Sequence, residues 1–240
     1  MKTKKLARKK EGFFFKGYKA CIKATKPKVT FYYLGKKIEK GTLILSNHES
    51  TKGPLSWDFF SGIPVRFLGS EEMNSGLIRM YKYQSKVYYH EKKHWNLFLA
   101  RLFCLLASPL TNLFYKGLDL ISIREGFGLG RTIKDAYTSL VEYEENLVLF
   151  PEDSTKGYLE ELEAFHQGFL LICEYALKRG HDIPISVAYY RKKDNKCFVD
   201  EAIPYSVFKE KYETREKIAE VLKDRCNELG KMDASTLERK

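Results

Sequence analysis

Three short polar clusters in this sequence each follow directly after an apolar run that is typical of a β-strand. The first contains Asn47 and His48, the second contains Arg124, and the third contains Glu152 and Lys156. In open parallel α/β sheets, ligands bind beyond the carboxyl ends of strands, and helical crossovers separate neighbouring strands widely in sequence. The three clusters can therefore converge on one pocket that holds an imidazole, cationic groups and a carboxylate.

The residue types in these clusters suit proton transfer next to an anionic substrate. An imidazole titrates near neutral pH and can serve as a general base, and a guanidinium binds phosphate through two hydrogen bonds. Each residue taken alone has a simpler interpretation. A lone histidine after a strand is more often only a satisfied polar group, and Phe150-Pro151-Glu152 alone could be a strand that ends at a proline.

The elements that must position these clusters alternate between strands and helices. Apolar and β-branched runs predict strands over 28–33, 42–45, 65–68, 120–123, 147–150 and 183–189. Helical spacing of apolar residues predicts helices over 133–140, 169–176 and 207–229. We therefore expect an α/β fold with a mostly parallel sheet flanked by helices. The expected organisation is a basic N-terminal segment over 1–27, a single domain over 28–230 and a flexible tail over 231–240.

Composition narrows the classes of partner. The net charge of +11 favours anionic partners, but zinc-finger spacing, a basic region with heptads and an RNA-recognition signature are absent from the sequence, so we expect no nucleic acid. The five cysteines form no C-x-x-C pair, which suits a reducing cytoplasm. The histidines show no metal-ligand pattern, so we expect no metal. The start of the chain has no signal-peptide core.

An apolar segment at 97–107, with Arg101 inside it, stands apart from the rest. Eleven residues are too few to span a bilayer, so we do not predict a transmembrane helix. Two interpretations stay open: a buried core helix, or an interfacial helix. In the second, Trp95, Phe98, Phe103 and Phe114 are the anchors, and Lys92, Lys93 and Arg101 lie near anionic headgroups.

Four segments of the chain, in this order, resemble the motif blocks of the glycerol-3-phosphate and lysophosphatidic acid acyltransferase family. They are LILSNHES (43–50), GLDLISIRE (117–125), LVLFPEDSTKG (147–157) and HDIPISVAYY (181–190). The resemblance covers roughly residues 41–190. It implies an enzyme of phospholipid biosynthesis or remodelling, an acyltransferase that lies peripherally on the cytoplasmic face of the cell membrane. The implied partners are an anionic membrane surface, a lysophospholipid or glycerol-phosphate acceptor, and acyl-CoA or acyl carrier protein as co-substrate, with no bound cofactor.

The resemblance also implies a role for each matching residue. His48 matches the base that removes a proton from the acceptor hydroxyl, which then attacks the acyl thioester. Arg124 matches the arginine that binds the acceptor phosphate, and Glu152 matches the glutamate that holds the glycerol part. Asn47 belongs to the substrate-binding part of the first block, and Lys156 lies near the family's basic residue in the third.

The sequence departs from the family pattern at one position that bears on catalysis. The family has Asp five residues after its histidine, and this chain has Gly53 there. Asp58 or Glu49 could orient the imidazole instead, and so could a backbone carbonyl or a water. The alternative is a catalytically silent relative that binds lipid or acyl carrier protein. If Gly53 marks lost catalysis, an Asp at position 53 is expected to restore it.

Overall fold

The computed structural model of the chain describes residues 12–74, 76–152 and 157–234. It confirms the predicted class: the fold is α/β, with eight strands in a mixed, mostly parallel sheet flanked by helices. The described chain divides into two compact units. The first comprises residues 27–66 and 133–234, and the second comprises residues 12–26 and 67–132. The domain boundaries expected from the sequence stay predictions, and parts of both expected terminal segments lie outside the described residues.

The strands lie close to the positions that the apolar runs predict. They are β1 (Thr30–Tyr33), β2 (Leu43–Ser46), β3 (Val65–Ser70), β4 (Ile121–Ile123), β5 (Asn146–Leu149), β6 (Pro184–Arg191), β7 (Lys196–Val199) and β8 (Ile203–Pro204). All six predicted strands are present. The sequence reasoning missed β7 and β8, which return along β6 in the antiparallel sense.

The helices account for most of the remaining chain. They are α1 (Phe13–Ala24), α2 (Lys52–Phe60), α3 (Glu71–Asn74), α4 (Leu77–Lys82), α5 (Leu97–Leu118), α6 (Leu129–Tyr137), α7 (Gly168–Leu177), α8 (Tyr205–Lys211) and α9 (Arg215–Lys231). Tyr83–Lys92 and Thr138–Glu142 continue α4 and α6 as π-helical turns, and Gly126–Gly128 is a 3₁₀ turn.

One predicted helix is wrong in its extent. The periodicity predicted a single helix over 207–229, whereas the chain forms α8 and α9 with an extended residue, Tyr212, between them. The Thr214 side chain starts α9 by accepting a hydrogen bond from the Lys217 N–H at 3.2 Å. An N-cap of this kind satisfies an otherwise unpaired backbone donor, so a new helix begins where periodicity alone shows no break.

The first unit is built around β2. This strand pairs in parallel with β5 on one side and β6 on the other, and the sheet continues through β7 to β1. Leu43, Ile44 and Leu45 are fully buried, as expected for a strand with both faces covered. Because β2 and β5 are parallel neighbours, the residues that follow them emerge at the same edge of the sheet.

The second unit contains the parallel pair of β3 and β4 with α1 and the helices α3 to α5. Asn96 caps α5, because its side chain accepts hydrogen bonds from Phe98 N at 2.9 Å and Leu99 N at 3.4 Å. The helix continues through Pro109 for 22 residues. The apolar segment is therefore twice as long in the structure as the sequence reasoning assumed.

Candidate functional site

Asn47 fixes the loop that carries His48. Its side-chain amide donates to the Tyr190 carbonyl at 2.9 Å and accepts from the Tyr190 N–H at 2.7 Å. The residue is almost completely buried. Just beyond the end of β2, the Asn47 side chain thus takes the place of the backbone hydrogen bonds that join β2 to β6. Substrate binding by Asn47 stays a prediction.

His48 and Glu152 meet at the edge of the sheet, as the post-strand positions predicted. The His48 N–H donates to Glu152 Oε1 at 2.8 Å, although the two residues are 104 positions apart. Glu152 itself is buried and pairs with Phe165 in an isolated antiparallel bridge. The carboxylate therefore fixes the backbone of the histidine.

Two aromatic side chains hold the His48 ring. Tyr158 stacks on it, with centroids 5.1 Å apart and planes at 15°, and Phe150 meets it edge-on at 4.8 Å. The Nδ1 atom of the ring is buried. The ring plane is thus set by contacts on two sides. Sequence reasoning missed Tyr158, because no periodicity marks an aromatic residue in an irregular loop.

Gly53 lies against the backbone of His48. A Cβ atom at this position would lie 2.3 Å from the His48 carbonyl oxygen and 3.1 Å from the Asn47 carbonyl oxygen. Real Cβ atoms do not approach backbone so closely, so the first turn of α2 can pack here only with glycine. The turn that leads into it is tight, since Glu49 and Ser50 both have positive φ angles. An Asp side chain at position 53 would therefore clash with the backbone of Asn47 and His48.

Burial makes the Glu152 carboxyl group hard to ionise. Desolvation raises its pKa to about 7, the hydrogen bond from the His48 N–H opposes that rise, and the nearby negative charge of Glu49 adds to it. Glu49 in turn forms an ion pair with Lys192 at 3.7 Å. The site thus combines an imidazole with a carboxyl group that titrates near neutral pH, a feature common at functional sites.

The two carboxylates considered as partners for His48 lie in different settings. Asp58 lies in the middle of α2 and is half-buried, with Oδ2 inside the protein. Glu49 is adjacent to the histidine, and its carboxylate faces Lys192. Orientation of the imidazole by Asp58 stays a prediction.

Arg124 belongs to the second unit, where it directly follows β4. Its backbone N–H donates to Thr132 Oγ1 at 2.9 Å. Its guanidinium lies 3.4 Å from the Ser122 carbonyl and 3.8 Å from the Glu71 carboxylate. Phosphate binding by Arg124 stays a prediction. Lys156, the second predicted phosphate contact, lies outside the described residues.

The described part of the chain contains no cluster of three or more His, Cys, Asp or Glu side chains that could hold a metal ion. No family model matches the chain, and no curated protein matches it either. The acyltransferase resemblance therefore rests on the four sequence segments alone.

Proposed function

We propose that this protein is an acyltransferase that moves a fatty acyl group from a thioester donor to the hydroxyl of a lysophospholipid or glycerol phosphate. One observation carries the proposal: the structure brings together His48 and Glu152, the residues that match the family's base and third-block glutamate. They meet at the carboxyl ends of two parallel strands, where α/β proteins place ligands.

The proposed chemistry is a direct transfer. Because His48 Nδ1 is buried, Nε2 takes the proton from the acceptor hydroxyl. The hydroxyl oxygen attacks the thioester carbonyl carbon, so a C–O bond forms and the C–S bond breaks. The proton on the imidazole then passes to the departing thiolate. The thioester carries the activation, so no further cofactor takes part.

The contacts around His48 support this role. A general base works only when it is held within hydrogen-bond reach of the proton that it removes. Glu152 holds the backbone of His48, and Tyr158 and Phe150 hold its ring. These contacts fix the position of the imidazole through its backbone and its orientation through packing on the ring.

The acceptor and the donor are both anionic in this proposal, which accords with the net charge of +11. Arg124 and Lys156 are the proposed phosphate contacts. Since a phosphate contact acts in the ground state and the transition state alike, Arg124→Ala should raise the acceptor KM more than it lowers kcat.

The direct test is a mass-spectrometric screen of the purified protein. Pooled lysophospholipids and glycerol 3-phosphate would be offered with acyl-CoA or with acylated carrier protein. The proposal predicts a new acylated lipid with one donor class and none with heat-inactivated protein. Absence of any acylated product with both donors would contradict it.

The environment of Gly53 favours a second candidate, a silent relative that binds lipid or acyl carrier protein without transferring the chain. The backbone of His48 fills the space where the Asp side chain would start. This candidate predicts that lysophospholipid or acylated carrier protein raises the melting temperature while no product forms. Product formation in the same samples would exclude it.

A further inference from the structure

Helix α5 exposes its large apolar residues, which is the reverse of the arrangement of a surface helix in a water-soluble protein. Its exposed side carries eight large apolar residues whose exposed fractions range from 43% to 77%, namely Phe98, Leu99, Leu102, Phe103, Leu105, Leu106, Leu110 and Leu113. At 100° per residue they cover about 160° of the helix circumference. A surface helix of a soluble domain normally places such residues against the core.

Before Phe114 and Leu118, the buried side of α5 consists of small and partly polar residues. Ala100, Cys104, Ser108 and Asn112 recur every fourth residue and are buried where α5 packs against α4 and the π-helical stretch 83–92. Ser108 Oγ donates to Gln84 Oε1 at 2.8 Å across this contact. Small side chains allow helices to approach closely, and hydrogen bonds between helices replace apolar burial when the outer solvent is lipid. The large apolar groups are therefore left for a partner outside this unit's core.

Helix α1 adds to the same unit a second element with exposed aromatic rings. It packs on α5 through the Phe15 and Phe114 rings, whose centroids are 6.0 Å apart, and Tyr18 donates to the Leu110 carbonyl at 3.3 Å. Phe13 and Phe14, at its start, are 86% and 88% exposed. The helix also carries Lys16, Lys19 and Lys23 and no acidic residue.

The aromatic and cationic residues around the apolar face of α5 indicate which kind of partner covers it. Trp95, Tyr89 and Phe103 form a cluster of touching rings at the amino end of α5, and cationic residues flank the apolar face at Lys93, Arg101 and Lys116. Amphipathic rings favour the boundary between hydrocarbon and headgroups, and cations favour anionic headgroups. A protein partner would not require both features around an unbroken apolar face.

We propose that the exposed face of α5, together with Phe13 and Phe14 of α1, docks into one leaflet of a lipid bilayer, with α5 lying in the membrane plane. α5 is long and apolar enough to cross a membrane by length and composition. The helical segment 77–92, against which α5 packs, favours the in-plane position. Three charged residues are exposed on this segment: Arg79, Lys82 and Lys86. Immersing the whole pair would place these charges in hydrocarbon. This proposal does not depend on the proposed acyl transfer.

Vesicle flotation tests the proposal with a matched control. The vesicles would be phosphatidylcholine alone or phosphatidylcholine with phosphatidylglycerol, at low and high salt. We expect wild type to float on both, more on the anionic vesicles at low salt. The double variant Leu102→Glu and Leu106→Glu should reduce the bound-to-free ratio about tenfold or more. Val207→Glu, which alters an exposed apolar residue of α8, should float like wild type.

A second measurement on the wild-type protein avoids any effect of substitutions on folding. The chain has two tryptophans, of which Trp57 is fully buried in the first unit and Trp95 is exposed at the end of the proposed face. Lipids with brominated acyl chains should quench Trp95 fluorescence and leave the Trp57 part unchanged, so Trp95→Phe should remove the quenchable signal.

Several results would overturn the membrane assignment. Equal flotation of wild type and the double variant would exclude the α5 face, and no flotation of wild type with no quenching would exclude a bilayer. If wild type sediments as a dimer that the double variant dissociates, and neither floats, the face instead binds a second copy of the chain.

Discussion

Glu152 links the chemistry of the site to the stability of the fold. Its carboxylate accepts the backbone N–H of His48, while burial raises its pKa from the ordinary value of 4.5 to about 7. The folded state therefore holds a proton that the unfolded chain releases between these two pH values. The free energy that this proton contributes to the folded state is fully present below pH 4.5 and is lost as the pH rises through 7. Its size is about 1.4 kcal/mol for each unit by which the folded and unfolded pKa values differ.

We predict that Glu152→Gln flattens this part of the pH dependence. Glutamine keeps a carbonyl oxygen for the His48 N–H but cannot ionise. Urea unfolding at several pH values between 5 and 8 would measure the free energy of unfolding of both proteins. Wild type should lose stability relative to Glu152→Gln as pH rises. Parallel curves for the two proteins would contradict the assignment.

Tyr158 is the residue in the described part of the site that stacks face-on against the His48 ring. We predict that Tyr158→Phe keeps turnover near the wild-type value and that Tyr158→Ala lowers it by about 10- to 100-fold, the scale expected for a mispositioned catalytic group. NMR gives a readout independent of activity. The His48 ring protons should be shifted upfield by the stacked ring in wild type and Tyr158→Phe, and this shift should disappear in Tyr158→Ala. An unchanged His48 spectrum in Tyr158→Ala would argue against the stack.

The junction of β2 and α2 requires glycine at position 53. The first turn of α2 packs on the carbonyl oxygens of Asn47 and His48, and only glycine leaves room for them. The sequence expectation that an Asp at position 53 restores catalysis therefore conflicts with the packing. An Asp here would displace the backbone that carries the imidazole.

We accordingly predict that Gly53→Ala and Gly53→Asp each destabilise the protein by about 1–3 kcal/mol, the range for overpacking. Neither should raise acyl transfer. Gly168→Ala, in the same unit, is the matched control, since no atom beyond its chain neighbours and its own helix backbone lies within 4 Å of its Cβ position. Thermal and urea unfolding would measure all three. A Gly53→Ala protein as stable as the Gly168→Ala control would show that the turn is looser than described.

The elements themselves were predictable where local pattern and burial agree. β2, β5 and β6 are mostly apolar because both faces of the central sheet are covered, so their sequences mark them as strands. The division between α8 and α9 was missed because Thr214 breaks the helix by capping it, without breaking the apolar period. The extent of α5 was missed because Pro109 and the polar residues after it indicated an end, although the helix runs on to Leu118.

For the molecule as a whole, the sequence predicted the strand ends at which His48 and Glu152 lie. It did not predict the side-chain contacts that are made there. His48 and Glu152 follow parallel neighbours, so their proximity follows from topology. The stacking of Tyr158, the burial of Asn47 and the steric limit at Gly53 depend on loop conformation and on packing between distant segments. Neither composition nor periodicity encodes such contacts.

Turnover of wild type and His48→Ala, measured with the same donor and acceptor, decides whether His48 acts as the base in acyl transfer. Loss of a general base lowers turnover by about 10²–10⁴-fold. We predict a loss in this range for His48→Ala and none for His181→Ala, which changes an exposed histidine of the same unit. Circular dichroism would establish that both variants are folded. A folded His48→Ala protein that transfers the acyl group as fast as wild type would exclude His48 as the base.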